Sequence, residues 1–233
     1  MIILFLFLLF FSDISAVVLE KQNFCEILPY VTKDCWVLFD LDNTLVESIQ
    51  HLGSTQWGDY ISEKFSKEEK NTLWVRIKPH LKMRLVDEAA PDLIKSLQSQ
   101  GIVVLGVTSR GERLSDYTHH QLNNFNISFT ILEGTDRGVI FCSTLKKSAI
   151  FQNCLSRISQ RPKRIIFLDD KHHHVFDLED AFKNSDIEFI GIRFGGCDAR
   201  VKAFDPSIAE LQMQALPYFL TDDEAEQRLK AKG

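Results

Sequence analysis

Three stretches of this chain are apolar almost to their end and then turn polar: WVLFD (36–40), GIVVLGVTS (101–109) and RIIFLDD (164–170). A fourth, IEFIGIRF (187–194), is apolar nearly throughout. Unbroken apolar runs of this length predict parallel strands covered on both faces, because a strand facing water on one side would alternate. Between them lie APDLIKSLQSQG (90–101), RLSDYTHHQLNNF (113–125), KKSAIFQNCLSRI (146–158) and VFDLEDAFKN (175–184). These carry apolar residues at helical spacing. Alternating strand and helix predicts right-handed βαβ units, hence a three-layer, Rossmann-like α/β fold with a parallel sheet between helices. SFTILEG and RGVIFCS (128–134 and 137–143) are split by Thr135 and Asp136 and predict a hairpin or two short strands.

The stretch from Glu47 to Leu85 breaks this rhythm. It is rich in charge, holds Trp57 and Trp74, and predicts a small helical cap inserted over the strand ends. Within it SEKFSKEEK (62–70) is expected to be a solvated helix face, and the two Trp the insertion's own small core. The end of the chain, 204–229, predicts an amphipathic helix, a turn at Asp222 and Asp223, and a final helix, with Met213 and Leu216 packing on the sheet. Ile2 to Phe11 is unbroken apolar sequence, too short for a bilayer span of about 20 residues. It predicts an export signal over 1–16, cut after Ala16, with the main domain over 17–233. The competing expectation is a buried terminal element. Cleavage would make the protein periplasmic or secreted; retention would leave it cytoplasmic.

Composition adds limits. The 233 residues are 45% hydrophobic and 25% charged, which excludes a disordered or low-complexity chain. A net charge of −5 offers no basic field for a nucleic-acid backbone. Cys25, Cys35, Cys142, Cys154 and Cys197 form no CxxC pair, so a structural zinc site is not expected. An exported chain could join Cys25 to Cys35. No GxGxxG or GxxxxGK[ST] is present, so no P-loop is indicated.

In open parallel sheets ligands bind at the carboxyl ends of the strands. Asp40, Asp42, Thr108, Ser109, Asp169 and Asp170 are therefore expected to meet there. Asp40 and Asp42, at i and i+2, leave their strand on one side while Leu41 turns back to the core. Carboxylates so close repel unless a cation or a proton intervenes. An acidic turn or helix cap would explain a bare DxD. It does not explain a second acid pair ending a second buried strand.

The segment WVLFDLDNTLVES resembles the first motif of the haloacid-dehalogenase-like (HAD) hydrolase superfamily. GVTSRG (106–111) resembles its second, Lys146 or Lys147 its third, and IIFLDD (165–170) its fourth, in the family's order across 36 to about 194. FDPSIAELQ…FLTDDEA further resembles a bacterial HAD-like subfamily of unknown function. The resemblance implies a Mg²⁺-dependent phosphatase acting on a small phosphorylated substrate. Asp40 would be the nucleophile that forms an aspartyl-phosphate, and Asp42 the general acid and then base. Thr108 would bind a phosphoryl oxygen, beside Ser109 and Arg110. Lys147, or alternatively Lys146, would neutralise Asp40 and the phosphate. The Mg²⁺ ligands would be Asp40, the backbone carbonyl of Asp42, Asp169 and Asp170. An acid at position 42 argues for phosphoryl transfer over dehalogenation, since a halide leaves without a proton. A phosphotransferase or 5′-nucleotidase on the same apparatus, or an exported binding protein that keeps the fold, are the alternatives. His172, His173 and His174 are expected to be solvated loop residues, and His119 and His120 to be surface or half-buried on a helix.

Overall fold

The computed structural model describes residues 16–231. Six parallel strands form one sheet: β1 (Ala16–Lys21), β2 (Cys35–Phe39), β5 (Val103–Thr108), β6 (Val139–Phe141), β7 (Arg164–Asp169) and β8 (Glu188–Phe194). Their order is β1-β8-β7-β2-β5-β6. The three strands with polar ends, β2, β5 and β7, are thus neighbours at the centre. Every residue of β2 is buried, as a strand covered on both faces requires. Alternation divides the core: Val37, Phe39, Val104, Ile166 and Leu168 face one layer, while Trp36, Leu38, Leu105, Ile165 and Phe167 face the other.

Helices α3 (Ala90–Ser99) and α4 (Ser115–Asn124) cover the first face through Leu93, Ile94, Leu97 and Leu122. On the second face, α5 (Lys147–Leu155) contributes Phe151 and Leu155, and α6 (His172–Phe182) contributes Val175, Leu178 and Phe182. Each such side chain, fully buried, contributes about 1.5–3 kcal/mol. Gly191 in β8 lets α6 come close: a Cβ there would lie 2.4 Å from Val175.

The insertion is framed by a two-stranded antiparallel ribbon, β3 (Val46–Ser48) with β4 (Met83–Leu85), and carries α1 (Thr55–Lys64) and α2 (Lys67–Ile77) between them. Ser54 and Ser66 cap the two helices. Trp57 and Trp74 meet edge to face at 4.9 Å in a core with Leu52, Ile61 and Ile77. The chain ends in α7 (Asp198–Lys202), α8 (Pro206–Ala215) and α9 (Asp222–Lys230). Met213 and Leu216 pack into the insertion's core, not onto the sheet as expected, because α8 lies against α1.

Other expectations are corrected. No hairpin spans 128–143: β6 pairs parallel with β5, and 128–134 forms no strand. β1 is an addition to the pattern read from the sequence; it extends the sheet edge through Ala16↔Phe189 to Lys21↔Phe194. All five cysteines are free thiols, with Cys25 exposed and Cys35 buried, so the bond that an exported chain could form between them is not made here. The export signal falls outside the described residues except for Ala16. No helix among the described residues is long and apolar enough to cross a membrane.

Candidate active site

Asp40 follows the last residue of β2, and its N–H still bonds to the Leu168 carbonyl of β7 at 2.8 Å. Asp169 is the last residue of β7. Adjacent strands ending in register therefore bring the two acids together. The turn after Asp42 is made by Asn43 with φ 61°, a left-handed conformation that Asn tolerates better than most residues. That turn lets Thr44 donate to Asp40 Oδ2 at 3.2 Å and accept the N–H of Asp170 at 3.1 Å. Asn43 Nδ2 reaches Asp170 Oδ2 at 3.3 Å.

Lys147 opens α5 and is 1% exposed. Its ammonium bonds to Asp40 Oδ1 and, at 2.6 Å, to Asp169 Oδ2. Lys146 instead points outward to Asp177 at 3.1 Å. One helix position thus decides between the two lysines, because successive helical side chains leave about 100° apart.

The carboxylates of Asp40, Asp169 and Asp170 offer one oxygen each within 4.8 Å of one another. Burial pushes Asp40 up to about 6, with Asp169 and Asp42 adding to the rise against the pull of Lys147. Asp170 is pushed up to about 8, first by burial and then by Asp40 and Asp169. Burial would raise Asp169 too, but Lys147 and His174 outweigh it and hold this carboxyl below its ordinary range. Burial opposes the charge on Lys147, yet the two aspartates raise it above an ordinary lysine. The chain alone thus leaves its carboxylates short of positive charge.

The side chain of Asp42 lies outside that trio. Arg110 grips it with Nε at 2.9 Å and Nη2 at 2.7 Å, and is itself held by Thr118 at 3.1 Å and Gln121 at 2.7 Å. Burial would raise Asp42, but Arg110 overrides it and keeps the group ionised. Arg110, expected beside the substrate, has its fork filled by Asp42. Thr108, fully buried, accepts the N–H of Arg110 at 3.1 Å, and Ser109 is exposed beyond it.

Two residues of the site escape the sequence. His174 Nδ1 lies 3.0 Å from Asp169 Oδ2. The helix starts three residues earlier than its apolar pattern suggests, which turns one of the three histidines inward. His172 faces Glu20 at 3.3 Å instead. Arg193, near the end of β8, donates from Nε to the Asp170 carbonyl at 3.0 Å and pairs with Asp198 at 2.5 Å. An acid pair ending one strand, beside an Arg near the end of the next, is the signal available for it.

The family model described as "Protein of unknown function (DUF2608)" matches residues 10–226. The chain belongs to the DUF2608 family. A Chlamydia trachomatis serovar D protein named "Putative outer membrane protein" is 25% identical over 223 residues, covering 86% of the DUF2608 chain and 85% of its own length. A similarly named Chlamydia pneumoniae protein is 24% identical over 258 residues, covering 95% and 94%. Among solved structures, the class C acid phosphatase from Bacillus anthracis is similar with TM-score 0.41 at 14% identity, over 89% of this chain and 82% of that one. A likeness this loose carries no weight in assigning chemistry.

Proposed function

We propose that this chain is a HAD-like, Mg²⁺-dependent phosphomonoesterase in which Asp40 carries the phosphoryl group. The observation that supports it most is the buried Lys147 ammonium joining Asp40 to Asp169 at the ends of adjacent strands, with Asp170 beside them. Three carboxylates and one ammonium form an anionic cradle that repels a phosphate dianion. A hard divalent cation would offset this, and the three carboxylates, offering one oxygen each within 4.8 Å of one another, are the donor type such an ion takes. Asp40, Asp169, Asp170 and the Asp42 carbonyl would hold Mg²⁺, which supplies the charge that lets phosphate sit among acids.

Asp40 attacks phosphorus, the bond to the leaving alkoxide breaks, and an acyl phosphate forms on its carboxylate. Lys147 offsets charge on Asp40 and on the incoming phosphoryl oxygens, and the hydroxyl of Thr108, buried at the end of β5, is the group proposed to donate to a phosphoryl oxygen. The leaving alkoxide needs a proton, and Asp42 is the remaining acid at that strand end. With Arg110 holding it ionised, Asp42 is a poor donor. An arriving phosphate competes for the same guanidinium, and as the pair loosens Asp42 rises toward the range of a general acid. It then takes the proton of the water that hydrolyses Asp40.

Hydrolysis of p-nitrophenyl phosphate tests this reading. Turnover is expected to stop after EDTA treatment and return with Mg²⁺; turnover that survives exhaustive EDTA would rule the metal out. Metal binding must also displace the proton that Asp170 keeps up to about pH 8. Mg²⁺ affinity, read by calorimetry, is therefore expected to rise from pH 6 to pH 8, by up to about tenfold per unit for one proton released. A flat profile would mean that Asp170 is not a ligand.

Export through a leader cut after Ala16 is proposed alongside. The names of the Chlamydia relatives support it, and the cut would leave most of β1 on the mature chain. N-terminal sequencing of the exported protein is expected to begin at Val17; an intact Met1 outside the cytoplasm would contradict cleavage.

A further inference from the structure

The phosphatase reading leaves a group of cations at the seam between the insertion and the sheet domain unused. From Asp42 the polar contacts run outward along α4. Arg110 Nη1 reaches Gln121, and Gln121 donates to the Tyr117 hydroxyl at 2.8 Å. Tyr117 feels the charge of both Arg110 and Asp42, so it belongs to the same neighbourhood. Lys78, at the end of α2, lies over the Tyr117 ring with its ammonium 5.7 Å from the centroid. Arg113, in the turn before α4, donates to Asn71 of α2 at 2.9 Å. Asn71 and Lys78 are two helical turns apart and so share one face. That face of α2 is what the insertion turns toward α4.

The charge there is unbalanced. Among the described residues no carboxylate pairs with Lys78 or Arg113. Burial, then Arg113 and Arg110, push Lys78 below its ordinary value, and no acid opposes them. Glu112, next to Arg113 in sequence, lines a different cavity with Asp136 and Arg157. Three part-buried arginines elsewhere do have acid partners: Arg200 with Glu47 and Asp222, Arg193 with Asp198, Arg164 with Glu188. Part-buried Lys78 and exposed Arg113 are thus placed on the same seam, joined to Asp42 through Tyr117, Gln121 and Arg110, where their charges suit an anion from outside.

We propose that Lys78 and Arg113 form a second anion subsite, which takes a phosphate at the far end of the substrate while Asp40 attacks the near one. The preferred substrate is then a small bisphosphorylated molecule. The inference rests on the phosphatase reading for the near phosphate and adds to it the class of substrate.

Phosphate esters of linear diols of graded chain length test it, each prepared with one end free or with both ends phosphorylated. At one chain length the wild-type protein is expected to favour the bisphosphate in kcat/KM by about tenfold, the worth of one or two charge-assisted contacts. The Lys78→Ala, Arg113→Ala double variant is expected to lose that ratio through KM, and Lys78→Arg to retain most of it. Both side chains are partly or largely exposed, so the variants are expected to fold. No preference at any length, or an equal loss on both ester series, overturns the subsite. Failure to hydrolyse any ester overturns the phosphatase reading first, and the monophosphate series alone reports that outcome.

Discussion

Asp40→Asn is expected to lower turnover of p-nitrophenyl phosphate by about 10⁴-fold or more, the scale seen when a covalent nucleophile is removed. The substitution keeps the shape of the side chain. Its amide cannot attack phosphorus, and it offers Mg²⁺ a neutral oxygen in place of a charged one. The fold should not suffer. In the metal-free protein the charged form of Asp40 is already disfavoured, since burial and the neighbouring acids lift it to about 6. A neutral amide removes that repulsion, and Lys147 keeps its bond to Asp169. The thermal midpoint without Mg²⁺ is therefore expected to equal or exceed that of the wild type. Retention of a tenth or more of the wild-type rate by a folded variant would show that another group accepts the phosphoryl.

The second large effect concerns stability. Lys147→Met removes the one ammonium that sits between Asp40 and Asp169. Removing one member of a buried ionic group costs about 3–5 kcal/mol, because the partner charges are left uncompensated. Lys147 sits above the ordinary lysine range, so the stability it contributes is present in full at pH 6 and at pH 8. It would fade only in strong alkali. The loss in the variant should nevertheless depend on pH. Near pH 6 the orphaned carboxyls can take up protons; near pH 8 more of them are charged and repel. Urea titrations are expected to show a larger deficit at pH 8 than at pH 6, with Mg²⁺ restoring part of it. Superimposable curves for variant and wild type at both pH values would mean that the carboxylates are balanced by something other than Lys147.

Both effects come from residues that can be picked from the chain before folding is considered. The continuous apolar runs mark β2, β5 and β7 because a strand covered on both faces has no position for a polar side chain until it ends. Asp40 and Asp169 stand where those runs stop, and neighbouring parallel strands align their ends. The helical register of Ile150 and Leu155 favours Lys147 but leaves Lys146 open; it is the fold that brings Lys147 to Asp40 and Asp169 and sends Lys146 to Asp177. Less legible is whatever depends on what lies across space. β1 is short, carries Glu20 and Lys21, and becomes a strand through its pairing with β8. β6 resembles half of a hairpin because local pattern cannot distinguish parallel from antiparallel partners. Met213 and Leu216 are plainly apolar, but nothing nearby in sequence says that α8 meets the insertion.

The sequence by itself determined the sheet's buried strands and the acids at their ends, because burial and periodicity act within a few residues. Only the tertiary structure decided that Arg110 closes on Asp42, that His174 turns onto Asp169, and that Lys78 and Arg113 stand together without an acid. The first two pairings join residues 68 and 5 positions apart. Their energies depend on distance and desolvation, which exist only once the chain has folded.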